Sequence, residues 1–529
     1  QIITTLSFKS LITSSSNSNI TSNTITTSGG NGIDFISTSN SNTIQSNTIT
    51  TTGSSANGIS LSQSSNSTIQ SNTITTSGSS GYGIYLDLSS NSNTLQSNTI
   101  TTNGTSAQGI RLSSSSNSTL QSNTITTSGS TGYGIVLSSS SNNNATNNKI
   151  NATGTNADGV YIFSDSDNNI FNLNNISKSG RDGVRIEGST NERNNITNNI
   201  ILNSTGNGIF LNNTLTASQF IYNNNISYSN NFSILLSNAS NITIIGGSLE
   251  YSKIGINATS SINVTVTNAT FVLNTLWDFY ITNNSWVISL NNSFNSSVNV
   301  TNVPNDYSNF TVQWYARANV TNSTGIHMNS SSVTSTDVLG GTGWTDTTTN
   351  GLTGWFAAID YIQNGTAAVS YNLHTGIASL TGYLDNSSTY NVSVKNITGT
   401  QVDIVLKNAN KYCNNSYTQG QVTWNITSNI TCSNETIYVA GNITIFNNGS
   451  LTLRNVTLNF SAFADGSNFI NKSPNGGLFI YDLDSNSSTQ EDATEIISNN
   501  SDYEYDFWVF GNGGNDNFTL RNSRVSDAG

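Results

Sequence analysis

Thr68-Ile69-Gln70-Ser71-Asn72-Thr73-Ile74-Thr75-Thr76, followed by Gly83-Ile84-Tyr85-Leu86, is one turn of a pattern that repeats through the first half of the chain. The isoleucine two places after the asparagine falls at Ile25, Ile49, Ile74, Ile100, Ile125, Ile150, Ile176, Ile200 and Ile226, in steps of 24 to 26 residues. A second marker, glycine before Ile or Val, keeps the same beat at Gly32, Gly58, Gly83, Gly109, Gly134, Gly159, Gly183 and Gly208. Within each period apolar and polar residues alternate, which is the two-residue period of a strand with one face buried. Such short strands need a partner. The available one is the same segment one period later, stacked in parallel at roughly 4.8 Å. Nine coils predict a rod on the order of 45 Å long.

The inward columns can be written from the sequence. One is Ile44, Ile69, Leu95 and Leu120. A second is the isoleucine series above. A third runs through Ile59/Leu61, Ile84/Leu86, Ile110/Leu112, Ile135/Leu137, Val160/Ile162, Val184/Ile186 and Ile209/Leu211. The asparagines ahead of Thr-Ile (Asn47, Asn72, Asn98, Asn123) are predicted to sit at strand corners, in left-handed geometry, with their amides hydrogen-bonded up the column.

The phrase Gly-Ile-x-Leu-x-x-Ser with Asn-x-Ile-x-x-Asn-x-Ile resembles the repeat of the pectate-lyase-like, NosD-like parallel β-helix family, over about residues 1–290. That resemblance implies an all-β, right-handed three-sheet solenoid, assigned here to residues 1–295. The fold carries polysaccharide lyases, hydrolases and epimerases, and also non-catalytic surface proteins, so it does not give function. Residues 296–408 resemble the Ig-like β-sandwich often appended to such solenoids, with strand-like Phe310-Thr311-Val312-Gln313-Trp314-Tyr315 and Val402-Asp403-Ile404-Val405-Leu406. Residues 409–529 open with Cys413 and Cys432 and continue through Leu451-Thr452-Leu453-Arg454. They resemble a second β-helix of the kind seen in archaeal cell-surface and S-layer-type glycoproteins. The two cysteines read as one disulfide, worth roughly 3 kcal/mol by loop entropy. A metal site would need more ligands than two.

Composition bounds the function. Charged residues are 8% of the 529, against about 25% in ordinary soluble domains, and the net charge is −12. An acidic chain has no footprint for nucleic acid or anionic membranes. No apolar run reaches the roughly 18 residues of a membrane span. Hydration must come from Asn, Ser and Thr, or from sugars on them.

Asn-x-Ser/Thr occurs 41 times among 88 asparagines. Residues 1–231 hold 42 asparagines and 12 of these sequons; residues 232–529 hold 46 and 29. The corner asparagines miss the sequon, as in Asn72-Thr73-Ile74. The division predicts buried asparagines in the coils and N-glycosylated ones outside them. Candidate glycan sites are Asn66, Asn103, Asn117, Asn144, Asn203, Asn238, Asn257, Asn268, Asn283, Asn295, Asn322, Asn386, Asn396, Asn425, Asn434 and Asn448.

A catalytic site on a solenoid needs titratable groups converging across neighbouring coils. The richest cluster is Asp158, Asp165, Asp167, Arg181, Asp182 and Arg185, joined by Glu187, Glu192 and Arg193. The alternative is a set of surface ion pairs. His327 and His374 lie outside the solenoid and read as lone surface histidines. Calcium has weak candidates at Asp165/Asp167, at Asp482-Leu483-Asp484-Ser485-Asn486, and at Gly513-Gly514-Asn515-Asp516. Outward Thr-Ile-Thr at Thr24/Thr26 through Thr124/Thr126 resembles the arrays of ice-binding solenoids, although threonine is also simply a good exposed strand residue.

The leading expectation is a structural extracellular glycoprotein: a surface-layer, adhesin-stalk or filament subunit with no cofactor beyond its N-linked glycans. It self-associates, with Ile2-Ile3-Thr4-Thr5-Leu6-Ser7-Phe8 capping its own coil or adding to a neighbour. The alternatives are a polysaccharide lyase or epimerase, and a glycan- or ice-binding module.

Overall fold

The computed structural model describes residues 10–214, 218–294, 298–301, 306–365, 367–392, 399–409, 411–413, 415–460, 469–481, 494–498, 506–509, 518–521 and 524–525. The segment Ile2–Phe8 and the calcium candidates beginning at Asp482 and at Gly513 lie outside them, as do Asn295 and Asn396.

The described chain is all β, and its first part is a right-handed parallel solenoid. Three sheets run along it. Sheet A has 13 strands, from Ser10–Thr13 through Ile84–Asp87 and Val160–Phe163 to Val298–Val300. Sheet C has 11, from Thr24–Thr27 through Thr73–Thr76 to Thr270–Val272. Sheet B runs from Asn19–Thr21 through Thr68–Gln70 to Trp286–Leu290 and on into Asn309–Asn322. The registers are those of the repeat: Ile74 pairs with Ile100, Ile69 with Leu95, Ile84 with Ile110. All three inward columns are buried, at 0–1% exposure from Ile44 to Ile162. Thirteen rungs span about 58 Å, longer than the nine coils expected, because stacking outlasts the 25-residue beat.

Two details of phase differ from the sequence reading. In the isoleucine column the eighth member is Ile201, paired with Ile176 and Ile226, while Ile200 faces outward at 43% exposure. The buried corner Asn199 sets the phase: the residue after it points out and the next points in. The corner asparagines are also not the left-handed residues. Those are the residues before them: Ser46, Ser71, Ser97 and Ser122 have φ of 53–56°. Their N–H groups still bond the next rung, as Ser71 N does to Gln96 O at 3.0 Å.

The amide ladder itself is present. Asn47, Asn72, Asn98, Asn123, Asn148, Asn174, Asn199 and Asn224 are 1–3% exposed. Each of Asn47 through Asn199 donates its Nδ2 to the next amide oxygen at 2.9–3.0 Å.

The repeating glycine is a matter of space. At Gly109 an added Cβ would lie 2.2 Å from Ile125 Cγ2 and 2.6 Å from Gly134 O. The rung above leaves no room to shift. Gly109→Ala is therefore expected to cost about 1–3 kcal/mol, read as a lower urea midpoint. An unchanged midpoint would show that the backbone relaxes.

Parallel pairing passes the boundary expected at residue 295. Val298–Val300 stacks on Trp277–Thr282, and Asn309–Gln313 stacks on Trp286–Leu290. The beat is lost there because the loops change length, not because the stack ends. The strand Asn309–Asn322 then leaves the solenoid, pairing antiparallel with Phe356–Asn364 and parallel with Thr400–Asn408. A second sheet, Thr342–Thr347, Ser332–Asp337, Leu373–Ser379 and Asn386–Asn391, is antiparallel. This is a two-sheet unit, a coarser result than the Ig-like sandwich expected. Its core, Trp314, Val333, Trp344 and Ile404, is continuous with that of the solenoid.

From residue 423 parallel stacking resumes. Thr423–Ile426, Asn442–Ile445 and Phe469–Lys472 form one ladder; Asn429–Val439, Ser450–Phe460 and Gly477–Tyr481 form another. They enclose a separate core around Trp424, Ile437, Leu451 and Leu458. Cys413 and Cys432 are disulfide-bonded at its entrance, with Cα atoms 4.7 Å apart. No described helix is long and apolar enough to cross a membrane.

Candidate functional site

The acidic cluster of the sequence separates into two groups: Asp158 and Asp182 precede their strands, with Arg185 and Glu187 on the strand Val184–Glu187, whereas Asp165, Asp167, Glu192 and Arg193 follow the strands.

At the start of sheet A the residue before each repeating glycine reads Asn31, Asn57, Tyr82, Gln108, Tyr133, Asp158, Asp182 and Asn207. In early coils this column is a cap: Asn31 Oδ1 accepts Asn57 N, and Asn57 Oδ1 accepts Tyr82 N, both at 2.9 Å. Asp158 and Asp182 do the same work as carboxylates. Asp158 Oδ1 accepts Asp182 N at 3.0 Å, and Asp182 Oδ1 accepts Asn207 N at 2.9 Å.

Being charged and buried, at 0% and 2% side-chain exposure, these carboxylates need partners. Arg181 supplies a bidentate one to Asp158, through Nε at 2.8 Å and through Nη2. Arg185 reaches Asp182 Oδ2 through Nη1 at 3.1 Å and Glu187 Oε2 through Nε at 3.0 Å. Glu187 also accepts Tyr161 OH at 3.0 Å and Asn212 Nδ2 at 2.9 Å. Aromatic rings frame the guanidinium groups. Arg181 lies 5.8 Å from the Tyr133 ring and 6.0 Å from Tyr161, and Arg185 lies 4.5 Å from Phe210. The result is a flat plaque of paired charges and rings across four coils.

The second group is at the other end. Asp167 Oδ1 accepts Glu192 N at 2.7 Å, as Asn91 Oδ1 accepts Ser116 N earlier in the same column. Asp165 is exposed, at φ 53°. Arg193 pairs with Glu192 at 2.6 Å. No three His, Cys, Asp or Glu side chains converge among the described residues.

Burial pushes the Asp158 carboxyl up to about 6, against the hydrogen bonds from Arg181 that favour its charge. Donating to the Asp158 carboxylate in turn lifts Arg181 above the ordinary arginine value. The two are compatible with an ionised pair at neutral pH, since three donors meet on one carboxylate. At Glu187 burial is outweighed by Arg185, Asn212 and Tyr161, and its carboxyl falls below the usual range.

A pH prediction follows from the sign of the Asp158 shift. The folded chain holds this proton to higher pH than the unfolded chain does. Stability from this group is therefore greatest below about pH 4, declines as pH rises toward about 6, and is level above. Urea midpoints of the parent protein and of Asp158→Asn, compared between pH 4 and 7, should diverge across that window and run parallel above it. Parallel curves throughout would remove Asp158 as the titrating group.

Chemically the plaque is committed. Each of the three carboxylates already accepts a guanidinium and at least one further N–H or O–H, so a proton-transfer role requires one of these bonds to open. Tyr133 and Asn207 belong to the site and were not singled out from sequence. Their signal was present, one place before Gly134 and Gly208.

His374 is not a surface residue. It is 1% exposed, stacked on Tyr390 at 5.3 Å, with Nε2 2.9 Å from Ile359 O. His327 is exposed, with Nδ1 3.1 Å from Asn319 Oδ1. The threonine files do face outward in register, Thr73 on Thr99 and Thr75 on Thr101.

Of the sixteen glycan candidates, fourteen lie in described residues, and all fourteen are exposed or half-exposed. The corner asparagines, which miss the sequon, are buried. The geometry explains the division. A corner asparagine has an inward apolar residue two places on, whereas an outward strand asparagine has another outward residue there, free to be Ser or Thr.

Residues 11–176 match the family described as "Right handed beta helix region". No curated protein matches the chain. Among solved structures, the chain resembles the Dettilon tailspike protein at 13% identity, over 69% of this chain and 74% of that one, with TM-score 0.37. A Geobacillus virus E2 protein matches at 14% identity over 72% and 69%, also with TM-score 0.37. The A-module of an Azotobacter vinelandii mannuronan C-5 epimerase matches at 12% identity over 54% and 91%, with TM-score 0.36. A relationship to archaeal surface-layer proteins does not follow from these likenesses.

Proposed function

We propose that the chain is a structural, N-glycosylated protein of the extracellular surface, with the solenoid as a stiff spacer that self-associates into a filament or lattice. The observation that carries this reading is the division of asparagines. Among the described residues sequons occupy exposed or half-exposed positions, with Asn291 the exception at 8% exposure, while the asparagines that hold the coils together are buried and lack the sequon. A chain with 8% charged residues gains from glycans the hydration that charges usually give, and shielding of its strand edges. The test is negative-stain microscopy of protein from its native source beside intact-mass analysis. Ordered filaments or sheets, at a mass well above the 56.2 kDa polypeptide, support the reading. Single rods at bare polypeptide mass overturn it.

A second reading has one observation in its favour. The buried Asp158, with its raised carboxyl, pairs with Arg181, which lies over the Tyr133 and Tyr161 rings on an otherwise bland solenoid, and such perturbed groups collect at active sites. It would make the plaque a lyase or epimerase site for an acidic polysaccharide. Turnover of uronic-acid polymers that is lost in Asp158→Asn would support it, and no turnover in the parent protein would end it. Calcium at Asp165/Asp167, and ice binding by the threonine files, remain weaker proposals, open to calorimetry with Ca2+ and to thermal-hysteresis measurement.

A further inference from the structure

On sheets B and C the outward strand positions change, from residue 144 onward, from threonine and glutamine to asparagine interspersed with large apolar residues, and sheet A also carries outward aromatic residues. Three of those apolar residues have the same neighbours. On sheet B, Ile170 stands in register between Asn144 and Asn195. On sheet C, Ile200 stands between Asn175 and Asn225. On sheet A, Tyr280 stands between Asn257 and Asn299. All six asparagines begin sequons: Asn144-Ala-Thr, Asn195-Ile-Thr, Asn175-Ile-Ser, Asn225-Ile-Ser, Asn257-Ala-Thr and Asn299-Val-Thr. Ile170 and Ile200 are 40% and 43% exposed, and Tyr280 is half-exposed. Trp286, 58% exposed, has a sequon asparagine on its described register neighbour, Asn309.

Single exposed apolar side chains are ordinary. What needs an account is their placement between two sequons, once on each sheet. Rung neighbours project side by side at roughly 4.8 Å. A sugar on an asparagine amide therefore emerges beside the apolar side chain of the next rung, with its C–H face able to cover it. Asn175 and Asn257 are both half-exposed.

We propose that N-linked glycans on these paired sequons cap the apolar residue between them, so that the first sugars complete a surface the protein leaves hydrophobic. This rests on the glycoprotein reading above and goes beyond it by assigning a job to particular glycans. It gives Asn144/Asn195, Asn175/Asn225 and Asn257/Asn299 a structural role that Asn66 and Asn117, at polar corners, do not share.

The experiment has two parts, on full-length protein from its native source. Glycopeptide mass spectrometry reports occupancy at Asn257 and Asn299. Hydroxyl-radical footprinting then compares oxidation of Tyr280 in the parent protein, in Asn257→Gln/Asn299→Gln, and in Asn66→Gln, with exposed Tyr307 as internal reference. The expected result is occupied sites and a severalfold rise in Tyr280 oxidation in the double variant alone. Occupied sites with unchanged Tyr280 oxidation overturn the capping role and leave the glycoprotein reading standing. Unoccupied sites overturn the capping role and count against the glycoprotein reading as well.

Discussion

Arg181→Met is expected to destabilise the solenoid by about 3–5 kcal/mol, the cost of leaving a buried charge without its partner. Asp158 has no access to water, and without Arg181 its carboxylate keeps only the Asp182 N–H. Methionine fills the space of the guanidinium stem, so the loss reports on charge rather than on a cavity. Adding Asp158→Asn should recover most of it, because Asn31 and Asn57 hold the same column position as neutral amides and cap the next rung. Urea unfolding of the two single variants and the double variant gives the cycle. A cost below about 1 kcal/mol for Arg181→Met would place the pair with exposed surface bridges. It would also weaken the case that Asp158 is held in readiness for anything.

That cycle bears on function as well as stability. If Asp158→Asn alone is nearly neutral, the aspartate is a charged version of a ladder cap, and the chain's structural reading gains. If the parent protein acts on an acidic polymer and the neutral variant does not, the same substitution separates a conserved shape from a lost chemistry. The raised carboxyl of Asp158 is consistent with either outcome, since burial, helped by the neighbouring Asp182 charge, produces it without any catalytic role.

The coils were legible because one physical signal, alternation in phase with a fixed beat, appears twice in each period. It failed where two apolar residues stood together. At Ile200-Ile201 hydropathy cannot choose between them, and the choice is made by Asn199, whose amide is locked to Asn174 and Asn224. The site was legible as a list but not as a place. Nine charged residues within three coils look like one cluster, yet Asp158 and Asp182 begin a strand whereas Asp165 and Asp167 follow one. Reading the column before each glycine separates them, and brings in Tyr133 and Asn207. The two-sheet unit was harder to place, because its first strand, Asn309–Asn322, is also a rung of the solenoid. His374 was misread because a single histidine carries no periodicity to say which way it points.

Asn123→Ala is expected to cost about 3–5 kcal/mol, as much as the ion pair, although nothing charged is touched. The Asn123 amide uses its whole valence: Oδ1 accepts Asn98 N and Asn98 Nδ2, each at 3.0 Å, and Nδ2 donates to Leu95 O and Asn148 Oδ1 at 2.9 and 3.0 Å. Each buried bond is worth about 1 kcal/mol net, and the partners left unpaired lose more. Asn123→Asp discriminates size from chemistry. It keeps the shape but replaces two donated hydrogen bonds with a buried carboxylate facing Leu95 O, so at neutral pH it should be worse than alanine, and it should recover as the carboxyl is protonated. Because each coil touches only its neighbours, the damage should stay local. Hydrogen exchange should quicken in residues 95–152 and hold in residues 33–62. An exposed asparagine such as Asn66 should tolerate the same change within about 0.5 kcal/mol. Equal sensitivity at Asn66 and Asn123 would mean that the ladder is not what holds the coils together, and the division between buried and sequon asparagines would lose its physical basis.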